Sequence, residues 1–223
     1  MDSARIYENC QDRLLDLAPT LDRDQLSTVV PACPDWTVQQ VYAHLTGLGA
    51  DVVSGAVTPP VGDEVTARQV ADRAHLDIGA ITDQWRESAP ALLELLRTRT
   101  RRRYALLALD LWHHENDLRG ALGLAALTKD ADQLADFPLG GLAKVWSADR
   151  PAVRVVATDT GQEWVLGEDP RLTLRGTAYE LARAVTGRRG VRQILAMDWT
   201  GGDPATVAPL LPTLPAPEAD LTV

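Results

Sequence analysis

Cysteine is nearly missing from this chain of 223 residues, with Cys10 and Cys33 the only two. Two thiols so far apart supply neither a disulfide framework nor a zinc knuckle. Phenylalanine occurs once, and lysine only as Lys129 and Lys144, so nearly every basic residue is arginine. Positive charge is short overall: 22 Lys plus Arg stand against 31 Asp plus Glu, a net charge of -9. Such a chain repels phosphate backbones and anionic membrane surfaces. Its one dense basic run, Arg97 to Arg103, lacks the interleaved aromatics of a nucleic-acid platform. We therefore expect no nucleic-acid partner and no membrane partner. No apolar run approaches the length of a membrane span, and Met1-Asp2-Ser3-Ala4-Arg5 contains no apolar signal core. The expectation is a reduced, cytoplasmic protein. Histidine is scarce too: His44, His75, His113 and His114 are all there are, and none follows position 114.

What remains is a globular balance, 45% hydrophobic and 24% charged, in a length that suits one large domain or two small ones. Residues 3–18 place Ile6, Leu14, Leu15 and Leu17 on one side of a helix, closed by Pro19. A loop over 30–35 leads to Thr37-Val38-Gln39-Gln40, which fits a capping box, with Trp36 and Val41 placed for a hydrophobic staple. Gly47 or Gly49 is the expected stop of that helix. After a loop over 58–62, helical pattern runs over 65–76 and 78–97, with Pro90 as a break or kink, and again over 104–122 before Gly123. Four principal helices predict an up-and-down bundle over residues 1–125. Beyond it, residues 126–223 read as a small α+β domain. Strands are expected at 152–157, 162–166 and 171–175, a helix at 177–186, and a last strand at 193–196. The proline-rich tail, 209–217, reads as an extended strap or a mobile end. The fold class is α+β.

The helix from Tyr104 carries the most informative anomaly. Asp110 and His114 share the apolar stripe of Leu107, Leu111, Leu118 and Ala121, one turn apart. A carboxylate and an imidazole on a core face are costly unless something satisfies them. Spacing of i and i+4 aims both at one point, as a divalent metal requires. On the capped helix, Val41, His44, Leu45 and Leu48 form the inward side, which makes His44 a third ligand. Two histidines and a carboxylate leave coordination positions open and suit zinc, ferrous iron or nickel. The same residues also suit a plain Asp–His hydrogen bond or a packing histidine. Asp117, one turn further on, would either orient a ligand or pair with an arginine. Glu115 and Arg119 point off the stripe, toward the surface or an ion pair. His113 points about a hundred degrees from His114, toward solvent or a domain boundary. His75 reads as a surface residue, Trp36 as a staple ahead of a substrate wall, and Cys33, just before the capped helix, as a packing residue ahead of one that approaches the site.

Pro34-Asp35-Trp36-Thr37-Val38 with Val41-Tyr42-Ala43-His44-Leu45-Thr46-Gly47 resembles the first signature of the mycothiol-dependent maleylpyruvate isomerase family of the DinB-like superfamily. The segment Asp110 to Gly123 resembles its second signature, a helix carrying the pattern E-L-x-x-H-E-x-D-x-R-x-A-L-G, and the Asp159 to Trp164 hairpin and Leu181 to Arg188 resemble its small carboxy-terminal domain. The resemblance implies a DinB-like four-helix bundle with zinc, or another divalent metal, held by His44, Asp110 and His114. It implies mycothiol as thiol cosubstrate and a small electrophilic substrate, on which the metal-activated thiol performs isomerisation or S-transfer. It also implies a functional arginine in the carboxy-terminal domain, Arg183 or Arg188, with Arg188 taken as the catalytic candidate. One departure stands out: the family has Glu where this chain has the shorter Asp110. Two rival readings are a thiol-independent metalloenzyme of the same fold acting on a specialised metabolite, and a non-catalytic metal- or ligand-binding protein.

Overall fold

The first helix, α1 (Ser3–Leu17), begins where the Asp2 carboxylate accepts the backbone N–H of Arg5, and it buries Ile6, Tyr7, Cys10 and Leu14 along one side. The structure is a computed structural model that describes residues 1–99 and 101–222. These form two compact units, Asp2–Ala126 and Leu127–Thr222.

In the first unit a single turn, α2 (Arg23–Leu26), precedes two short antiparallel strands, β1 (Val29–Val30) and β2 (Cys33–Thr37). The ribbon thus replaces most of the loop expected over 30–35. Pro34 does not prevent the pairing, because a two-stranded ribbon leaves one edge of each strand without ladder bonds. The ribbon delivers the chain into α3 (Val38–Ser54) through the expected capping box: Thr37 Oγ1 accepts the Gln40 N–H, and Gln40 Oε1 accepts the Thr37 N–H at 2.8 Å. The helix does not stop at Gly47 or Gly49. It runs on to Gly55, whose φ of 76° supplies the left-handed turn. Gly47 serves packing instead. A Cβ there would lie 2.7 Å from Gln69 Cβ and 2.8 Å from Arg73 Nη1, both on the next chain segment.

That segment holds α4 (Asp63–Ala71), followed by α5 (Ile78–Thr98), capped by Asp77. Pro90 lies inside α5 without ending it. Helical residues on both sides, with Trp85, Leu92 and Leu96 buried, hold the segment together despite the missing N–H. The unit ends with α6 (Ala105–Ala121), terminated at Gly123 with φ of 66°. Helices α1, α3, α5 and α6 form a four-helix bundle, with α1 against α5 and α6, and α3 against the same two. Buried hydroxyls tie it: Trp85 Nε1 donates to Tyr7 Oη at 3.0 Å, and Tyr42 Oη donates to the Leu14 carbonyl at 2.9 Å.

The second unit is α+β. It opens with α7 (Ala131–Val145), which the sequence did not announce because Pro138, Gly140 and Gly141 all lie inside it. Strands β3 (Val153–Ala157), β4 (Glu163–Leu166) and β5 (Leu172–Gly176) follow, then α8 (Ala178–Val185), α9 (Val191–Leu195) and β6 (Asp198–Gly201). The sheet order is β4-β3-β5-β6, with β3 and β5 parallel and the outer pairs antiparallel. Alternation decides its faces, with Val153, Val155 and Ala157 buried and Arg154 exposed between them. The strand expected at 193–196 is not formed: Gln193, Ile194 and Leu195 close α9 instead, and Ala196 caps it. Gln193 Oε1 accepts the Gly190 N–H, and only Ile194 of the helix is buried. The tail is a strap: the Thr213 N–H bonds the Val185 carbonyl, and Leu221 pairs with Gln193 through both backbone groups. Gly187, φ 72°, lets it pass, since a Cβ there would lie 2.7 Å from the Pro215 carbonyl oxygen. Among the described residues no helix is long and apolar enough to cross a membrane.

Candidate metal centre

Five consecutive polar residues of α6, His113 to Asp117, are buried. Such a run is tolerated only where each group finds a partner. Glu115 receives a bidentate pair of bonds from Arg13 of α1, both 2.6 Å, and is 1% exposed. It is therefore the ion-pair residue of the two alternatives, and not a surface one. Asn116 Nδ2 donates to the Trp112 carbonyl, and His113 lies edge-on to the Trp112 ring. His113 is 2% exposed, which excludes the solvent-facing placement. His75 is exposed, and Arg119 donates to the Ala125 carbonyl.

The two remaining members of the run, His114 and Asp117, face a cluster. The structure brings His44, Asp110 and His114 together, with one candidate ligand atom from each inside 4.8 Å of the others. Asp110 lies between the two imidazoles, Oδ2 at 3.5 Å from His44 Nε2 and Oδ1 at 3.5 Å from His114 Nε2. A tetrahedral zinc with bonds of about 2.0–2.1 Å holds its nitrogen and oxygen ligands about 3.3 Å apart. The shorter aspartate thus reaches both histidines without a glutamate's extra methylene.

Hydrogen bonds orient both rings. His44 Nδ1 is 3.0 Å from Gln69 Oε1, while Gln69 Nε2 donates to Asp51 Oδ2 at 2.8 Å. Because the amide nitrogen is committed to Asp51, its oxygen must accept, and His44 carries its proton on Nδ1. The lone pair on Nε2 is then aimed at Asp110. Arg68 Nη2 secures the same Asp51 oxygen at 2.8 Å. His114 repeats the pattern with a carboxylate: Nδ1 lies 3.4 Å from Asp117 Oδ2, and Nε2 faces Asp110. Of the two roles open to Asp117, this is the orienting one. Burial would lower the His114 pKa, but Asp110, Cys33 and Asp117 outweigh it and raise it from 6.5 to about 10. Negative charge around His114 is in excess, the electrostatic condition for a cation.

Trp36, read as a staple, lies with its ring centroid 5.0 Å from that of His44 and 6.4 Å from that of His114. It forms an aromatic wall on the cluster. Cys33, from the first position of β2, comes within 3.9 Å of His114 Nδ1. Sequence reasoning missed Gln69, since a lone glutamine on a short helix carries no signal of its target. Arg188 belongs to the carboxy-terminal unit, half-buried, with Nη1 donating to the Thr186 carbonyl. Arg183 of the same unit is 1% exposed within α8.

The model of the mycothiol maleylpyruvate isomerase N-terminal domain family matches residues 7–119. That span contains most of α1, the β1–β2 ribbon, His44, Gln69, Asp110, His114 and Asp117. Two solved structures, of a mycothiol-dependent maleylpyruvate isomerase and of a mutant of it, each match with a TM-score of 0.50 and 14% identity. Each match covers 83% of this chain and 88% of the other. At that identity the likeness is one of fold. No curated protein sequence matches the chain. With half of its length inside the family model, the chain belongs to the mycothiol maleylpyruvate isomerase N-terminal domain family.

Proposed function

We propose that the chain is a metal-dependent enzyme that uses mycothiol to isomerise, or transfer sulfur to, a small electrophilic metabolite. The observation that carries this reading is the arrangement of the two imidazoles. Both present Nε2 to one carboxylate while Nδ1 of each is occupied by a second group. Plain packing histidines have no need of two independent orienting partners converging on one point. Family membership, together with the mycothiol-dependent maleylpyruvate isomerase of like fold, suggests mycothiol as the thiol and maleylpyruvate as the substrate to test first.

His44, Asp110 and His114 would hold zinc or another divalent metal. When bound, such an ion lowers a thiol's pKa and makes it a nucleophile at neutral pH. The residues around it do the rest. Gln69 sets the His44 tautomer and Asp117 holds the His114 ring, so that both Nε2 atoms face Asp110, and His114 would give up its extra proton as the cation arrives. The indole of Trp36 covers the two rings and excludes water from that side. Three protein ligands leave room for a thiol, and a thiol that adds to an activated double bond and then departs permits rotation about it. Arg188 is the proposed contributor from the carboxy-terminal unit. It retains exposed surface, whereas Arg183 is sealed into α8.

Elemental analysis of the purified chain, followed by turnover of maleylpyruvate with and without mycothiol, tests the proposal. A stoichiometric divalent metal and turnover only with the thiol are expected. Turnover without mycothiol would overturn the thiol part, and full activity in metal-free protein would overturn the whole.

A further inference from the structure

The imidazole of His114 has candidate ligands on both of its edges. Beyond Asp110 and His44 on the Nε2 side, Cys33 and Asp117 stand on the Nδ1 side, and the Cys33, His114 and Asp117 donor atoms also lie within 4.8 Å of one another. The sulfur is 3.9 Å and the carboxylate oxygen 3.4 Å from Nδ1. A tetrahedral ion with a bond of about 2.3 Å to sulfur and about 2.0–2.1 Å to nitrogen and oxygen holds S and N about 3.6 Å apart, and N and O about 3.3 Å. The observed spacings are within a few tenths of an ångström of both.

The elements fix this trio firmly. Asp117 follows His114 by three residues on α6, so both project on one side of the helix. Cys33 opens β2, directly across from Val30 of β1. The Asp117 side chain is fully buried and that of His114 is 6% exposed, while Cys33 is half-exposed, which leaves the trio open on its sulfur side.

We propose that Cys33, His114 Nδ1 and Asp117 form a second metal seat, which takes a thiophilic divalent ion when the seat on the opposite edge of the same imidazole is disabled. This rests on the reading of His114 as a metal ligand. The seats are alternatives, because a neutral imidazole offers one lone pair and carries its proton on the other nitrogen. In the first seat Nδ1–H faces Asp117, and in the second Nε2–H faces Asp110. A cysteine sulfur and a carboxylate together balance a divalent charge, and sulfur selects zinc, cobalt or cadmium over magnesium or calcium. On coordination the thiol releases its proton to solvent.

Cobalt titration of the full chain without added thiol is the test, because sulfur bound to cobalt gives a near-ultraviolet charge-transfer band that nitrogen and oxygen ligands do not. Asp110→Asn and His44→Ala each disable the first seat, and the half-exposed Asp110 makes the former the safer variant for folding. Both are expected to bind cobalt with the band at full strength. Adding Cys33→Ser to either should abolish it, and adding Cys10→Ser should leave it unchanged. Folded Asp110→Asn protein that takes up cobalt without the band, or takes up none, would overturn the proposal. Cys33→Ser alone reports on the first seat: cobalt uptake without the band supports it, and loss of all uptake counts against the main functional reading instead.

Discussion

In the sheet of the carboxy-terminal unit the buried aliphatic positions are Val153, Val155, Ala157, Leu166, Leu172 and Leu174, whereas α6 of the bundle buries His113, His114, Glu115, Asn116 and Asp117 in succession. Both sets are equally removed from water. The sheet residues need only neighbours of the right shape, and any apolar group of similar volume would serve. Four of the α6 residues need a particular atom at a particular distance: Arg13 for Glu115, the Trp112 carbonyl for Asn116, and Asp110 and Asp117 for His114, the last pairing serving Asp117 as well. One core is built by volume and the other by pairing. Pairing at this density contributes little net stability, and it is what a site demands.

The contrast can be broken by experiment. His114→Ala should reduce the metal content of purified protein to background while circular dichroism keeps its helical signal; retained stoichiometric metal would show that the pairing serves packing after all. Leu174→Ala in the sheet should cost about 2–5 kcal/mol in urea unfolding, with metal content of the folded protein unchanged. Loss of metal there would erase the division between the two cores. Gln69→Leu leaves His44 Nδ1 without its acceptor and should weaken metal binding about 10–100-fold in chelator competition; an unchanged affinity would remove Gln69 from the site. Thr37→Ala removes the α3 cap and should cost about 1 kcal/mol of stability, the smallest effect of the set, again read by urea unfolding.

Legibility in the sequence followed the range over which each feature is decided. The capping box at Thr37 and Gln40 is settled within four residues, and it stands where the sequence puts it. The strands at 153–157 and 172–176 were legible because alternation is local to a strand. Helix α7 was not, since Pro138 and the Gly140-Gly141 pair outweigh its pattern when tertiary packing is left out. The convergence of His44 with Asp110 and His114 was legible because helical period places each on an inward face. Its orienting glutamine was not, because the Gln69–His44 bond joins separate helices and no periodicity encodes it. For Trp36 and Cys33 the sequence leaves two readings open for the same reason: their neighbours are set by the β1–β2 ribbon, whose strands are too short to register as a pattern.

Gly47 gives this architecture an unusual mutational profile. The residue has no side chain, yet its emptiness is what admits Gln69 Cβ to within 2.7 Å of where a methyl group would stand. Replacement by alanine, the mildest change available, pushes α4 outward and carries away the amide that sets the His44 tautomer. In a saturation library selected for activity, position 47 should be depleted about as severely as the histidines themselves. Intolerance of that kind, at a residue with no side chain to offer a metal, would mark a place where inheritance preserves a gap.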